Sequence, residues 1–167
     1  MVLDGGSCRV GVESTIVGFQ NGQPVLLRPG GTPLEDLERV AGQKIWQPRG
    51  KCADSDRVAA PGMLRRHYAP GKPLRLFAAG TAVPAPSSDQ AAGLLLLRAR
   101  EREETDRFVA VETLSCNADN NEAARNLFAA LRRLEASPAT VIFAETAVED
   151  GLGLAINDRL RRAAAED

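Results

Sequence analysis

Five short stretches hold residue types that could do chemistry. Gly5-Gly6 and Gly30-Gly31 could bring backbone N–H groups close to a phosphate, because glycine has no Cβ to hold the main chain away. Neither fits G-x-x-x-x-G-K-S/T or G-x-G-x-x-G, so on spacing they read as turn glycines. Gly151-Leu152-Gly153 falls between a strand-like and a helix-like run, the setting of an anion site at a helix N-terminus. It lacks the third glycine, and tight-turn glycines are the plainer reading. Ser14 and Thr15 follow Glu13 in a β-prone run. A nucleophilic Ser14 would need a base, yet the single histidine is His67, and no G-x-S-x-G elbow is present. A hydroxyl that orients a ligand asks for less. Arg28 stands just before Pro29-Gly30, where a fixed guanidinium could pair with phosphate or carboxylate; spacing alone favours an ordinary surface arginine. Residues 60–70 concentrate Arg65, Arg66, His67 and Tyr68 between prolines. They could lie over a pocket as a semi-rigid lid, with arginine for anions, tyrosine for stacking and histidine titrating near neutrality. A solvated basic linker fits as well, and the residues alone leave both open.

The elements that would position these groups fall into three regions. Residues 1–46 are glycine-rich and predict a hairpin, with Glu13–Phe19 as one strand, a turn at Gln20-Asn21-Gly22-Gln23, and Pro24–Arg28 returning. Thr32-Pro33-Leu34-Glu35 predicts a helix start with Thr32 as N-cap, and Gly42 stops it. Residues 47–73, rich in Pro and Gly, predict a linker. Residues 74–167 alternate strand and helix: Leu74–Phe77, Ala92–Leu97, Phe108–Val111 and Val141–Ala144 as strands, and helices from about Asp119 to Ala136 and from Leu154 to Ala164. In the last helix, Arg159, Arg161 and Arg162 suit the C-terminal end of the dipole. This alternation predicts an α/β fold with a mainly parallel sheet and flanking helices. A hairpin and one helix cannot bury a core in about 50 residues, so the first region reads as a truncated piece of a larger domain, with an unfinished sheet edge that predicts pairing with another chain.

Composition narrows the function classes. The 167 residues carry 21 basic and 22 acidic side chains, a net charge of −1, and only 4% aromatics. A nucleic-acid-coating protein would be basic, and a base-stacking surface would need more rings, so no direct nucleic-acid binding is expected. No apolar run approaches the ~20 residues of a membrane span, and the chain reads as soluble and cytoplasmic. Cys8, Cys52 and Cys116 are scattered, which predicts reduced thiols and no protein metal site. Lysine occurs only at Lys44, Lys51 and Lys72, so a catalytic lysine has few candidates.

Four separated motifs, in order, carry a resemblance. They are Leu3-Asp4-Gly5-Gly6 with Gly11-Val12-Glu13-Ser14-Thr15-Ile16-Val17, then Leu27-Arg28-Pro29-Gly30, then Ala60-Pro61-Gly62-Met63 with His67-Tyr68-Ala69-Pro70, and the tail from Gly151 to Ala164. Together they resemble the two-domain bacterial and archaeal threonylcarbamoyl-AMP synthases, which have a YrdC-like catalytic domain, a linker and a smaller Rossmann-like C-terminal domain of the SUA type. The resemblance implies that residues 1–46 are the end of the catalytic domain, 47–73 a linker or lid, and 74–167 the C-terminal domain.

It also implies a reaction: L-threonine, bicarbonate and ATP, the last with Mg2+, give L-threonylcarbamoyl-adenylate and pyrophosphate. A separate complex then transfers the threonylcarbamoyl group to tRNA. Carried over by motif, Ser14 would help hold L-threonine, Arg28 would contact the nucleotide, and the lid with Arg65, His67 and Tyr68 would cross the mouth of the cavity. Tyrosine is common in the family where this chain has Arg65. The family's Lys-x-Arg and Pro-Ser-x-Asn motifs have no counterpart here. The chain alone is therefore expected to be inactive or nearly so, needing an N-terminal catalytic segment or self-association. The alternative is a non-catalytic regulatory or nucleotide-binding module that gates a partner catalytic domain. Whether Ser14 and Arg28 face a cavity separates the two.

Overall fold

Asn21 and Gly22 both take positive φ, 51° and 78°. This is the type I′ turn whose twist matches that of a two-residue hairpin, and asparagine and glycine are the residues that tolerate it. The turn joins β1 (Ile16–Gln20) to β2 (Gln23–Arg28) with Gln20 opposite Gln23, and the register slips between Ile16 and Val17. On its other side β2 meets Trp46, which bridges to Val25 in parallel. The computed structural model describes residues 1, 3, 5–6, 8–47 and 69–165. Arg65, His67 and Tyr68 lie outside the described residues, as does most of the segment read as a linker.

Helix α1 (Leu34–Ala41) ends at Gly42, whose φ of 64° gives the expected left-handed cap. Its N-cap is Pro33 and not Thr32. The Thr15 hydroxyl donates to Thr32 O at 2.7 Å and accepts from Thr32 N at 3.0 Å, so Thr32 is held in the preceding turn. Glu35 and Asp36 supply the negative charge that suits the first turn.

The second part holds β3 (Leu74–Phe77), β4 (Ala92–Leu96), α2 (Arg102–Thr105), β5 (Ala110–Thr113), α3 (Asn120–Ala136), β6 (Val141–Glu145) and α4 (Gly153–Ala163). Its four strands form one sheet in the order β3-β6-β4-β5, every pair parallel, so the fold is α/β with flanking helices as expected. Every residue of β4 is buried, which is why its sequence is an unbroken apolar run. Alternation sends Leu95, Ile142 and Ala144 toward α3 and α4, where Leu127, Leu134, Ile156 and Leu160 complete the main core. Leu94, Leu96, Val141 and Phe143 face the other side and meet Val83 and Phe108.

Asp119 caps α3 by accepting from Asn121 N at 2.8 Å. Strand β5 starts at Ala110, two residues later than the apolar pattern suggests, because Phe108 leaves the ladder to pack edge-on to Phe143. The four-residue α2 has no apolar periodicity to announce it. A larger correction concerns Arg159. It does not serve the C-terminal end of the dipole, where Arg161 and Arg162 occupy the last turn; it is fully buried in α4. Among the described residues, no helix is long and apolar enough to cross a membrane.

Candidate functional site

Two chain segments meet where the hairpin ladder gives out. Residues Glu13-Ser14-Thr15 run beside the turn from Arg28 to Thr32. Gly31 N donates to Glu13 O at 2.8 Å. Gly30 allows this approach, since a Cβ there would lie 2.3 Å from Glu13 O and 2.4 Å from Ser14 C. Thr15 is occupied by Thr32, Glu13 is held by Arg159, and the Ser14 side chain is exposed.

Arg28 is 7% exposed, so it is not the ordinary surface arginine that spacing alone favours. Its guanidinium folds back on Ser14: Nε and Nη2 donate to Ser14 O at 3.2 and 2.9 Å, and Nη2 reaches Ser14 Oγ at 3.4 Å. A hydroxyl and a fixed positive charge therefore stand side by side. Chemically, the pair can orient a carboxylate, an amino-acid hydroxyl or a phosphate.

Behind this pair lies Arg159, 0% exposed, against a Glu13 that is 33% exposed. Arg159 Nε and Nη2 donate to Glu13 Oε2 at 2.9 and 2.8 Å, and Nη1 donates to Pro29 O at 3.0 Å and to Asp158 Oδ2 at 2.6 Å. Asp158 also accepts from Arg162 Nε at 3.0 Å. A cleft of about 10 Å³, enough for a single water, separates Thr15, Gly30 and Leu34 from Leu154 and Ala155.

The other glycine candidates read as turns. Gly6 and Gly151 have φ of 82° and 49°. Gly153 N is spent on Asp150 O at 2.7 Å, and a Cβ on Gly153 would lie 1.8 Å from Val148 O. The described lysines are spent as well. Lys44 Nζ bonds Glu38 at 2.6 Å; this contact and the Ile45 N–H hold the Glu38 carboxyl below the usual range, and the Glu38 contact raises the Lys44 ammonium. Lys72 Nζ caps the end of α3 through Leu134 O and Ser137 O. Among the described residues, no group of three His, Cys, Asp or Glu side chains could hold a metal ion.

At the carboxyl ends of the parallel strands, where ligands commonly sit in such sheets, an internal carboxylate fills the place. Glu145, 3% exposed, accepts from Arg100 Nη2 at 2.6 Å, Leu97 N at 3.0 Å and Gly80 N at 3.2 Å. It ties the ends of β3, β4 and β6 together. The sequence pattern did not single out Glu145, and it marked Arg159 only as a cation suited to the helix dipole. Their signal was a charge at a core position: Glu145 ends a buried strand, and Arg159 interrupts the stripe of Ala155, Ile156, Leu160 and Ala163.

Comparison with known proteins adds four findings. A family model described as Threonylcarbamoyl-AMP synthase, C-terminal domain, matches residues 32–165. A protein of Pyrococcus abyssi named Threonylcarbamoyl-AMP synthase is 39% identical over 170 residues, which are 97% of this chain and 48% of that protein. A Bacillus subtilis protein of the same name is 33% identical over 178 residues, 98% of this chain and 48% of its own length. The crystal structure of P. abyssi Sua5 complexed with L-threonine superposes with a TM-score of 0.76 at 34% identity, covering 96% of this chain and 48% of that one. The chain thus spans about half the length of the curated relatives it matches.

Proposed function

The chain belongs to the Threonylcarbamoyl-AMP synthase C-terminal domain family, and from that premise we propose that it is part of an L-threonylcarbamoyladenylate synthase, a nucleotidyltransferase of tRNA modification. In the synthase the threonine amine bonds the bicarbonate carbon as water leaves, and the resulting carbamate oxygen bonds the α-phosphorus of ATP as the α–β phosphate bond breaks and pyrophosphate departs, giving threonylcarbamoyl-AMP. The Ser14 hydroxyl orients L-threonine. The Arg28 charge lies beside the nucleotide, where it offsets charge developing on the phosphoryl group. Residues 1–46 complete a catalytic domain, 74–167 form the C-terminal domain, and 47–73, with Arg65, His67 and Tyr68, close over the cavity and exclude water from a labile carbamoyl species. The enzyme works in the cytoplasm and hands its product to a separate tRNA-modifying complex. The Mg2+ that accompanies ATP would be held by the nucleotide's phosphates.

The observation that carries this reading is the exposed Ser14 hydroxyl beside the buried Arg28 guanidinium, in a chain similar to a protein crystallised with L-threonine. One hydroxyl and one guanidinium cannot hold three substrates, so catalysis draws on the half of the relatives that this chain does not match. That half also has surface to cover. α1 buries none of its residues, while Phe19, Val40 and Trp46 are 75%, 82% and 55% exposed. A two-stranded hairpin needs such a partner to be stable.

The test is pyrophosphate release from ATP, dependent on L-threonine and bicarbonate, by the chain alone and by the chain co-expressed with the complementary half of the synthase. Activity is expected from the pair and only background from the chain. A pair that folds and associates but releases no pyrophosphate would refute the proposal.

A further inference from the structure

We infer that Arg159 is a positioning residue for the threonine and nucleotide contacts, through which the C-terminal domain sets the geometry of Ser14 and Arg28. This rests on the synthase reading above. The hairpin ladder does not reach Ser14: its last pair is Ile16 with Arg28, and the register has already slipped between Ile16 and Val17. Something other than strand pairing must set how Ser14 stands against Arg28.

Arg159 is placed to do so. It grips Glu13, the neighbour of Ser14, with two N–H groups, and it grips Pro29 O, the neighbour of Arg28, with a third. A planar guanidinium with donors in fixed directions sets the distance between whatever it bonds. Burying a charge is costly and a buried ion pair adds little net stability, but its directional demands can select one geometry. Arg159 is 0% exposed and spends its donors on Glu13, Pro29 and Asp158, so it acts through these segments and not by touching substrate. Its position on α4 follows from Asn157, whose Oδ1 accepts from Ala147 N at 2.8 Å and whose Nδ2 donates to Ala147 O at 2.9 Å, pinning the helix to the segment after β6.

The test uses the complete synthase carrying Arg159→Lys, which keeps the charge and loses the fork, and Glu13→Gln, made at the partly exposed end of the pair. Ile142→Val, a core change in the sheet, is the control. Each clamp variant is expected to raise the KM for L-threonine roughly tenfold with kcat within about twofold. The double variant should rise no further than Arg159→Lys alone, because that change already disrupts the Glu13 contact along with the Pro29 one. In the complete synthase, the Gly31 amide, bonded to Glu13 O, should exchange faster in both clamp variants and at the wild-type rate in Ile142→Val. Unchanged exchange at Gly31, or an unchanged threonine KM in an active synthase, overturns the inference alone. A wild-type synthase without threonine-dependent pyrophosphate release removes the functional reading and this inference with it.

Discussion

Asn157 offers the sharpest stability test, because it is 1% exposed and its whole amide is engaged by one residue, Ala147. Asn157→Ala leaves a buried N–H and a buried C=O without partners. Each orphaned group costs about 1–3 kcal/mol, or about 2–6 kcal/mol together. The truncated side chain leaves space for one water to bond both groups, which favours the lower half, about 2–4 kcal/mol. With a urea dependence of about 2 kcal/mol per molar, the midpoint should fall by about 1–2 M, read by circular dichroism. Asn157→Asp separates hydrogen bonding from packing. Its carboxylate can accept from Ala147 N but sets a negative oxygen against Ala147 O. Burial and that repulsion raise the folded pKa above the usual value of about 3.9. The folded state then holds the proton more tightly than the unfolded one, so the penalty is absent below about pH 4 and grows as pH rises through the folded value. The gap from wild type should widen between pH 4 and 7 for Asn157→Asp and stay flat for Asn157→Ala. A loss below about 1 kcal/mol for Asn157→Ala, or a flat gap for Asn157→Asp, would refute the reasoning.

Gly30→Ala forces a Cβ to within 2.3 Å of Glu13 O, so threonine-dependent turnover of the complete synthase should fall at least about tenfold. Gly5→Ala, with nothing within 4 Å, should leave turnover unchanged, and equal effects in the two would defeat the close-approach argument. Glu145→Gln removes the charge facing Arg100, whose side chain is 11% exposed against 3% for Glu145, and should cost about 3 kcal/mol in urea unfolding. A loss under about 1 kcal/mol would show that the pair does not tie the strand ends. At Asp119 the bond from Asn121 N–H holds the carboxyl below the usual aspartate range. That contribution is present above about pH 3.9 and is lost as pH falls through the lower folded value. Asp119→Asn should therefore flatten the acid side of the stability curve, and an unchanged acid slope would remove the cap from the account.

Much of the fold was legible because it is encoded over a few residues. Asn21-Gly22 specified its turn by tolerance of positive φ, the run from Ala92 specified a doubly covered strand by lacking polar positions, and Asp119 announced α3 through its cap. Even local reading failed where a distant group competed. Thr15 took Thr32 from the helix cap, and Phe143 drew Phe108 out of β5. Ser14 and Arg28 could be singled out by their motifs, but not the way Arg28 turns back onto the Ser14 carbonyl. Arg159 lies 146 positions from Glu13 and 130 from Pro29, and by its helix position it read as a cation suited to the dipole. Periodicity, caps and turn residues act through neighbours along the chain, so the amino-acid sequence carried the elements. A desolvated charge is decided by what surrounds it in space. Only the packing of α4 beside the segments at the open end of the hairpin determined that Arg159 would be buried, and which two segments it would hold together.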